Sequence, residues 1–234
     1  MASINLHFID ARGLLADHRD WLQARLTATH AKVSALLSLR PLDVIVKAGN
    51  QVISEKGHLG YAPEPGLIYL TVDPTSDVFR ANENASLERM FAHELHHAAR
   101  WDGPGYGSSL GQVLVSEGLA GVFAQEVWGG CPEPWERVDV EVVRRYVDMA
   151  AACWDREDYG HGAWFFGVGE LPRWLGYSLG FELVRRYLRE NEGSSAAGLV
   201  GVDAGVFRGG LGGISVIQGV DCQSADTEQV VLTI

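Results

Sequence analysis

Apolar positions fall into two rhythms along this chain. Ile4 to Asp10 alternates weakly, Leu42 to Lys47 is short and β-branched, and Leu67 to Val72, opened by Gly66, is the clearest strand. Runs of this length and spacing read as strands. Between the first two, Trp21, Leu22, Leu26, Val33, Leu36 and Leu37 recur at helical spacing, which predicts a helix over Trp21 to Leu39 closed by Pro41. Asn50 to Glu64 carries glycines, His58 and Pro63, and reads as loop or an irregular hairpin arm.

Beyond residue 80 the helical rhythm takes over. Helices are predicted from near Ala85 to about Arg100, with Asn82 or Asn84 as cap, then over Leu110 to Trp128, Val138 to Ala152 and Trp174 to Arg189. WDGPGYG, residues 101–107, is a turn-rich connection, and residues 153–172 form a long aromatic and glycine-rich one. Glycine inside a helix costs about 1 kcal/mol relative to alanine. Gly111, Gly118 and Gly121 within Leu110 to Trp128 therefore call for a packing reason, such as a second helix approaching closely. After Asn191 the pattern fades. Residues 194–207 hold a short helix at most, Gly209 to Gly213 reads as a flexible connection, and Ile214 to Val220 and Gln229 to Ile234 as terminal strands. The expected architecture is α+β: one domain over residues 1–234, with a small sheet within about 1–80 packed on a mainly helical part over about 84–200.

The helix LERMFAHELHHAAR carries an H-E-x-x-H pattern at His93, Glu94 and His97. Residues four apart stand one above the other on a helix, so both imidazoles can reach one metal ion while Glu94, offset by one position, faces a water beside it. Two histidines leave a catalytic zinc one protein ligand short. Glu117, twenty residues after His97 and central in the glycine-bearing helix, is the leading third ligand, with His161 and Asp102 as substitutes. His96 is left on the flank as a packing or supporting residue. Glu88, Asp102 and Glu126 are the candidate acceptors for the outer imidazole nitrogens.

Three blocks, HELHHAARW, VSEGLA and the stretch from Trp164 to Phe181 that reads WFFGVGELPRWLGYSLGF, together resemble the DUF2268 family of motif-predicted zinc-dependent proteases, of gluzincin type. The resemblance covers most of residues 60–190. It implies a zincin-like fold, one Zn²⁺ per chain held by His93, His97 and Glu117, Glu94 as the catalytic carboxylate, and a peptide or protein substrate. It also implies a strand beside the cleft whose edge pairs with an extended peptide, for which Leu67 to Val72 is the matching segment. For the oxyanion of peptide hydrolysis a donor besides the metal is needed. Tyr177 in GYSLG is the first choice, with Tyr159 and His161 as alternatives. Trp154, Trp164, Phe165 and Phe166 read as packing, with an apolar substrate pocket as the rival.

Charge narrows the partners. Lys and Arg number 19 against 30 Asp and Glu, a net charge of -11, with no basic stripe. That argues against nonspecific binding to nucleic acid or an anionic membrane. No apolar run is long enough to span a bilayer, and MASINLHFIDARG lacks the pattern of a signal peptide. Cys131, Cys153 and Cys222 are widely spaced and match neither a disulfide scaffold nor a thiolate zinc site, so a cytoplasmic location is expected. Gly103, Gly105 and Gly107 lack the spacing and preceding strand of a nucleotide loop. Two rivals stand beside the peptidase: a protein holding zinc as a structural clamp or peptide-binding device, and a hydrolase of another amide or ester. Oligomeric state is left open.

Overall fold

The computed structural model describes residues 3–216. Four strands, β1 (Ile4–Ile9), β2 (Leu42–Ala48), β3 (His58–Glu64) and β4 (Leu67–Val72), form one sheet in the order β1-β2-β4-β3. The first two and β4 run parallel, and β3 returns antiparallel along β4 with His58 opposite Val72 and Tyr61 opposite Tyr69. Helix α1 (Arg19–Ser34) makes the crossover between β1 and β2. It ends before the expected Leu39, because the Ala35 N–H turns back onto the carbonyls of Lys32 and Val33.

Two expectations change in this sheet. Residues 58–64 form a strand, although Gly60 and Pro63 break its apolar alternation and its register shifts between Tyr61 and Glu64. β4 is interior, flanked by β2 and β3, so the edge facing the helices belongs to β3 and not to Leu67–Val72. A strand can be the most apolar in the chain because it is central, and β4 is: Ile68, Leu70 and Val72 are fully buried.

A mainly helical part follows that sheet, and the two make the α+β, zincin-like arrangement that the motifs imply. Helix α2 (Asp77–Ala81) leads through a 3-10 turn into α3 (Ser86–Trp101), followed by α4 (Leu110–Trp128), α5 (Val140–Arg144), α6 (Val147–Cys153), α7 (His161–Phe166) and α8 (Leu175–Glu190). Neither candidate cap stands at the N-cap of α3, which is Ala85, but Asn82 reaches its first turn: its Oδ1 accepts the Leu87 N–H at 2.8 Å. The helix expected over Val138 to Ala152 is broken at Tyr146 (φ -109°) into α5 and α6, and the connection 153–172 contains α7.

Helix α3 lies between α1, α4 and the β3–β4 side of the sheet, and nearly all of it is buried. The glycines of α4 have the packing reason their cost demands. A Cβ on Gly118 would meet the Gly180 carbonyl oxygen at 2.2 Å, and one on Gly180 would meet that of Leu114 at 2.1 Å, so α4 and α8 cross backbone to backbone. Residues 204–216, read in part as flexible, form a 3-10 segment against α8, with Phe207 buried on Tyr187 at a ring separation of 4.6 Å. The expected terminal strands are absent at 214–216, which belong to that segment; their remaining residues lie outside the described ones. No described helix is long and apolar enough to cross a membrane.

Candidate metal centre

The close crossing of α4 fixes where Glu117 points. It lies one residue before Gly118, and its carboxylate turns toward α3 and meets both imidazoles. His93 Nε2 stands 3.1 Å from Glu117 Oε2 and 3.0 Å from His97 Nε2, and His97 Nε2 stands 3.5 Å from the same oxygen. A metal about 2.0–2.1 Å from each donor in tetrahedral geometry holds its ligands roughly 3.3 Å apart. All three separations fall on that edge length, so this donor set fits a small tetrahedral ion. Among the described residues His93, His97 and Glu117 form the one His, Cys, Asp and Glu grouping of this kind. Two neutral nitrogens and one carboxylate oxygen suit zinc and leave a fourth corner without a protein ligand.

Electrostatics bind the three together. Burial opposes a charged His93, but the hydrogen bond and charge of Glu117 outweigh it and raise its pKa to about 9. Burial likewise opposes an ionised Glu117, yet the charge of His97 and hydrogen bonds from both histidines hold its carboxyl well below the usual range. The free carboxylate oxygen is held from outside: Tyr106 OH donates to Glu117 Oε1 at 2.5 Å. Burial, then the Glu117 charge, push the Tyr106 phenol well above 10, so it remains a donor. Its ring also lies edge-on to His97, with centroids 5.3 Å apart.

Glu94 faces β3. The backbone of Ala62 lies close enough to lower its pKa slightly, and a Cβ on Gly60 would stand 2.5 Å from both Glu94 Cγ and Met90 Sδ. The strand is tied to α3 at two further points, by His58 Nε2 and Ser86 Oγ at 2.9 Å and by Trp101 Nε1 donating to the Ala62 carbonyl at 2.9 Å. Burial raises the Glu94 pKa against the opposing charges of His93 and His97. All four residues of the motif set line a cleft of about 840 Å³, together with Leu59 to Pro63 of β3 and Tyr177 of α8.

The model of a predicted Zn-dependent protease family, DUF2268, matches residues 22–207. The chain belongs to the DUF2268 family. A similar curated protein is the uncharacterized protein YjfC of Bacillus subtilis (strain 168), 27% identical over 158 residues. That match covers 61% of this chain and 51% of YjfC, so the chain spans about half the length of that relative.

Within this DUF2268 chain the other candidates sort clearly. Tyr177 lines the cleft, and burial followed by the charges of Glu117 and Glu94 lifts its phenol well above 10. His161 also lines it, hydrogen-bonded through Nδ1 to Tyr159 OH at 2.9 Å. Burial, then the Glu117 charge, raise Tyr159 to about 12. Asp102 lies apart from the cluster, 3.5 Å from Arg40. Neither Glu88, which accepts from Arg25 and Asn82, nor Glu126, which accepts the Ala196 N–H, supports an imidazole. His96 is fully buried on Phe123 and points to the Ala196 carbonyl, a packing residue. Trp154, Trp164 and Phe165 are buried in the core, and only Phe166 of the aromatic group reaches the cleft. Tyr106 was not among the expected residues. Its signal was positional, a phenol in the short connection between the two ligand-bearing helices.

Proposed function

We propose that this protein is a zinc peptidase that hydrolyses peptide bonds with one Zn²⁺ per chain on His93, His97 and Glu117 and with Glu94 as general base. The observation that carries this reading is the convergence of a three-donor cluster, a separate buried carboxylate and an exposed strand edge on one cleft. A structural clamp has no use for the last two. Zinc, when bound, supplies a Lewis acid that polarises a carbonyl and lowers the pKa of water from 15.7 toward about 7.

The chain's own residues do the rest. An extended peptide pairs with the outer edge of β3, gaining main-chain hydrogen bonds whatever its side chains. Glu94, packed against Gly60 of that same strand, stays in register with the peptide. It takes the proton from the attacking water and returns it to the leaving amine, and its burial moves its basicity in the useful direction. Tyr177 donates to the oxyanion as a neutral phenol. His161 and Tyr159, paired at the cleft wall, are the alternative donors.

Digestion of a peptide library tests the reading. Zinc-loaded wild type is expected to cut, and Glu94→Gln to keep its zinc and lose turnover by a factor of at least about 10². Cleavage of ester or non-peptide amide probes without peptide cleavage would point to a different substrate class, and peptide binding without turnover in wild type would point to a regulatory module.

A further inference from the structure

We propose that Glu136 forms the floor of a side-chain subsite beside the metal centre and selects peptides with a lysine or arginine next to the scissile bond. This deepens the peptidase reading and rests on it. Glu136 closes the 3-10 turn Pro134–Glu136 and is only 6% exposed. The turn reaches in over α4 at Gly121, one helical turn and so about 6 Å beyond Glu117. A Cβ on Gly121 would stand 2.1 Å from Glu136 Oε1, so the carboxyl fills the space which that glycine leaves open. The carboxyl and His93 are near enough for each charge to act on the other.

The surrounding charges are spent on one another. Arg89 Nε donates to Glu133 Oε1 at 2.7 Å, its terminal nitrogens go to the carbonyls of Gly129 and Cys131, and Lys56 pairs with the second Glu133 oxygen. Glu136 Oε2 accepts the Glu133 N–H at 2.7 Å. Its Oε1 has no hydrogen-bond or ion-pair partner among the described residues, and Glu136 lines the cleft. Met90, Ala124 and Trp135 line the same cleft. Apolar walls ending in a carboxylate suit the methylene stem and cationic head of lysine or arginine. Burial lifts the Glu136 pKa to about 7, and a cation bound at the open Oε1 offsets that cost and holds the group as a carboxylate. The net charge of -11 also favours the approach of cationic peptides.

The test uses zinc-loaded Glu94→Gln and fluorescent peptides identical except at one position, which is lysine, arginine, norleucine or citrulline, each with a free or acetylated N-terminus. Anisotropy reads affinity. Lysine and arginine peptides are expected to bind about tenfold or more tighter than norleucine and citrulline ones, whatever the N-terminus. Adding Glu136→Gln removes that preference, as does Gly121→Ala, which displaces the carboxyl without changing it. Zinc content verifies that each variant is folded. Equal affinities, or a preference that survives both substitutions, would overturn the proposal. A preference that requires the free amino terminus would also overturn it, giving the carboxyl to that group instead. Because binding is read without turnover, a wild type that cuts nothing yet shows the Glu136-dependent preference sinks the peptidase reading alone, and one that cuts without the preference sinks the subsite alone.

Discussion

Tyr106→Phe removes one oxygen and keeps the ring, so it isolates what the phenol does for the metal ligand. The hydroxyl donates to a carboxylate oxygen of a residue that is only 7% exposed. A hydrogen bond to a charged group contributes about 1.5–3 kcal/mol, and leaving a buried charged acceptor unpaired costs at least that much. The metal-free variant is therefore expected to lose about 2 kcal/mol of stability in urea unfolding at neutral pH. A second effect concerns the metal. With Oε1 tethered, Oε2 is aimed at the two imidazoles; without the tether the carboxylate can rotate. Loss of an outer partner of this kind typically weakens metal binding by about 10–100-fold. Zinc affinity, measured by competition with a chromophoric chelator, should fall by that factor. A variant matching wild type within twofold in affinity and within about 0.5 kcal/mol in stability would show that Tyr106 positions nothing.

Other outcomes follow from the packing around the site. Gly60→Ala places a methyl within 2.5 Å of Glu94 Cγ; if Glu94 is the base proposed above, it should retain zinc and lose most hydrolysis, and unchanged turnover would refute the strand contact. Burial, then the Lys56 charge, depress the His58 pKa from 6.5 to about 4. Stability from a neutral His58 is then fully present above pH 6.5 and declines as pH falls toward 4, by about 3 kcal/mol in total. Urea unfolding of wild type and His58→Gln across that window should show a shallower pH slope in the variant, and identical slopes would rule the assignment out.

The motif helix and its partner were legible because their signals are local. H-E-x-x-H needs only helical spacing, and the glycines of α4 announced a close neighbour, which proved to be α8 at Gly180. Glu117 could be ranked first because a ligand had to come from a helix able to return alongside α3. What was not legible depended on contacts distant in sequence. β3 was hidden because Gly60 and Pro63 spoil its alternation, and Gly60 is there to admit Glu94, thirty-four residues on. The most apolar strand was taken for the edge, whereas its apolarity goes with its central place in the sheet, where Ile68, Leu70 and Val72 are buried. Glu136 sits in EPWER, a sequence that looks like surface; only Gly121 opposite reveals that it points inward. The break between α5 and α6 had no proline or glycine to mark it.

The coordination sphere itself is the most direct test. X-ray absorption at the zinc edge, on protein loaded with one equivalent of the metal, should report two imidazole nitrogens, one carboxylate oxygen and one light non-protein ligand, with the carboxylate lost in Glu117→Ala and the sphere intact in Glu94→Gln. A fourth protein ligand, or a spectrum indifferent to Glu117→Ala, would contradict the account.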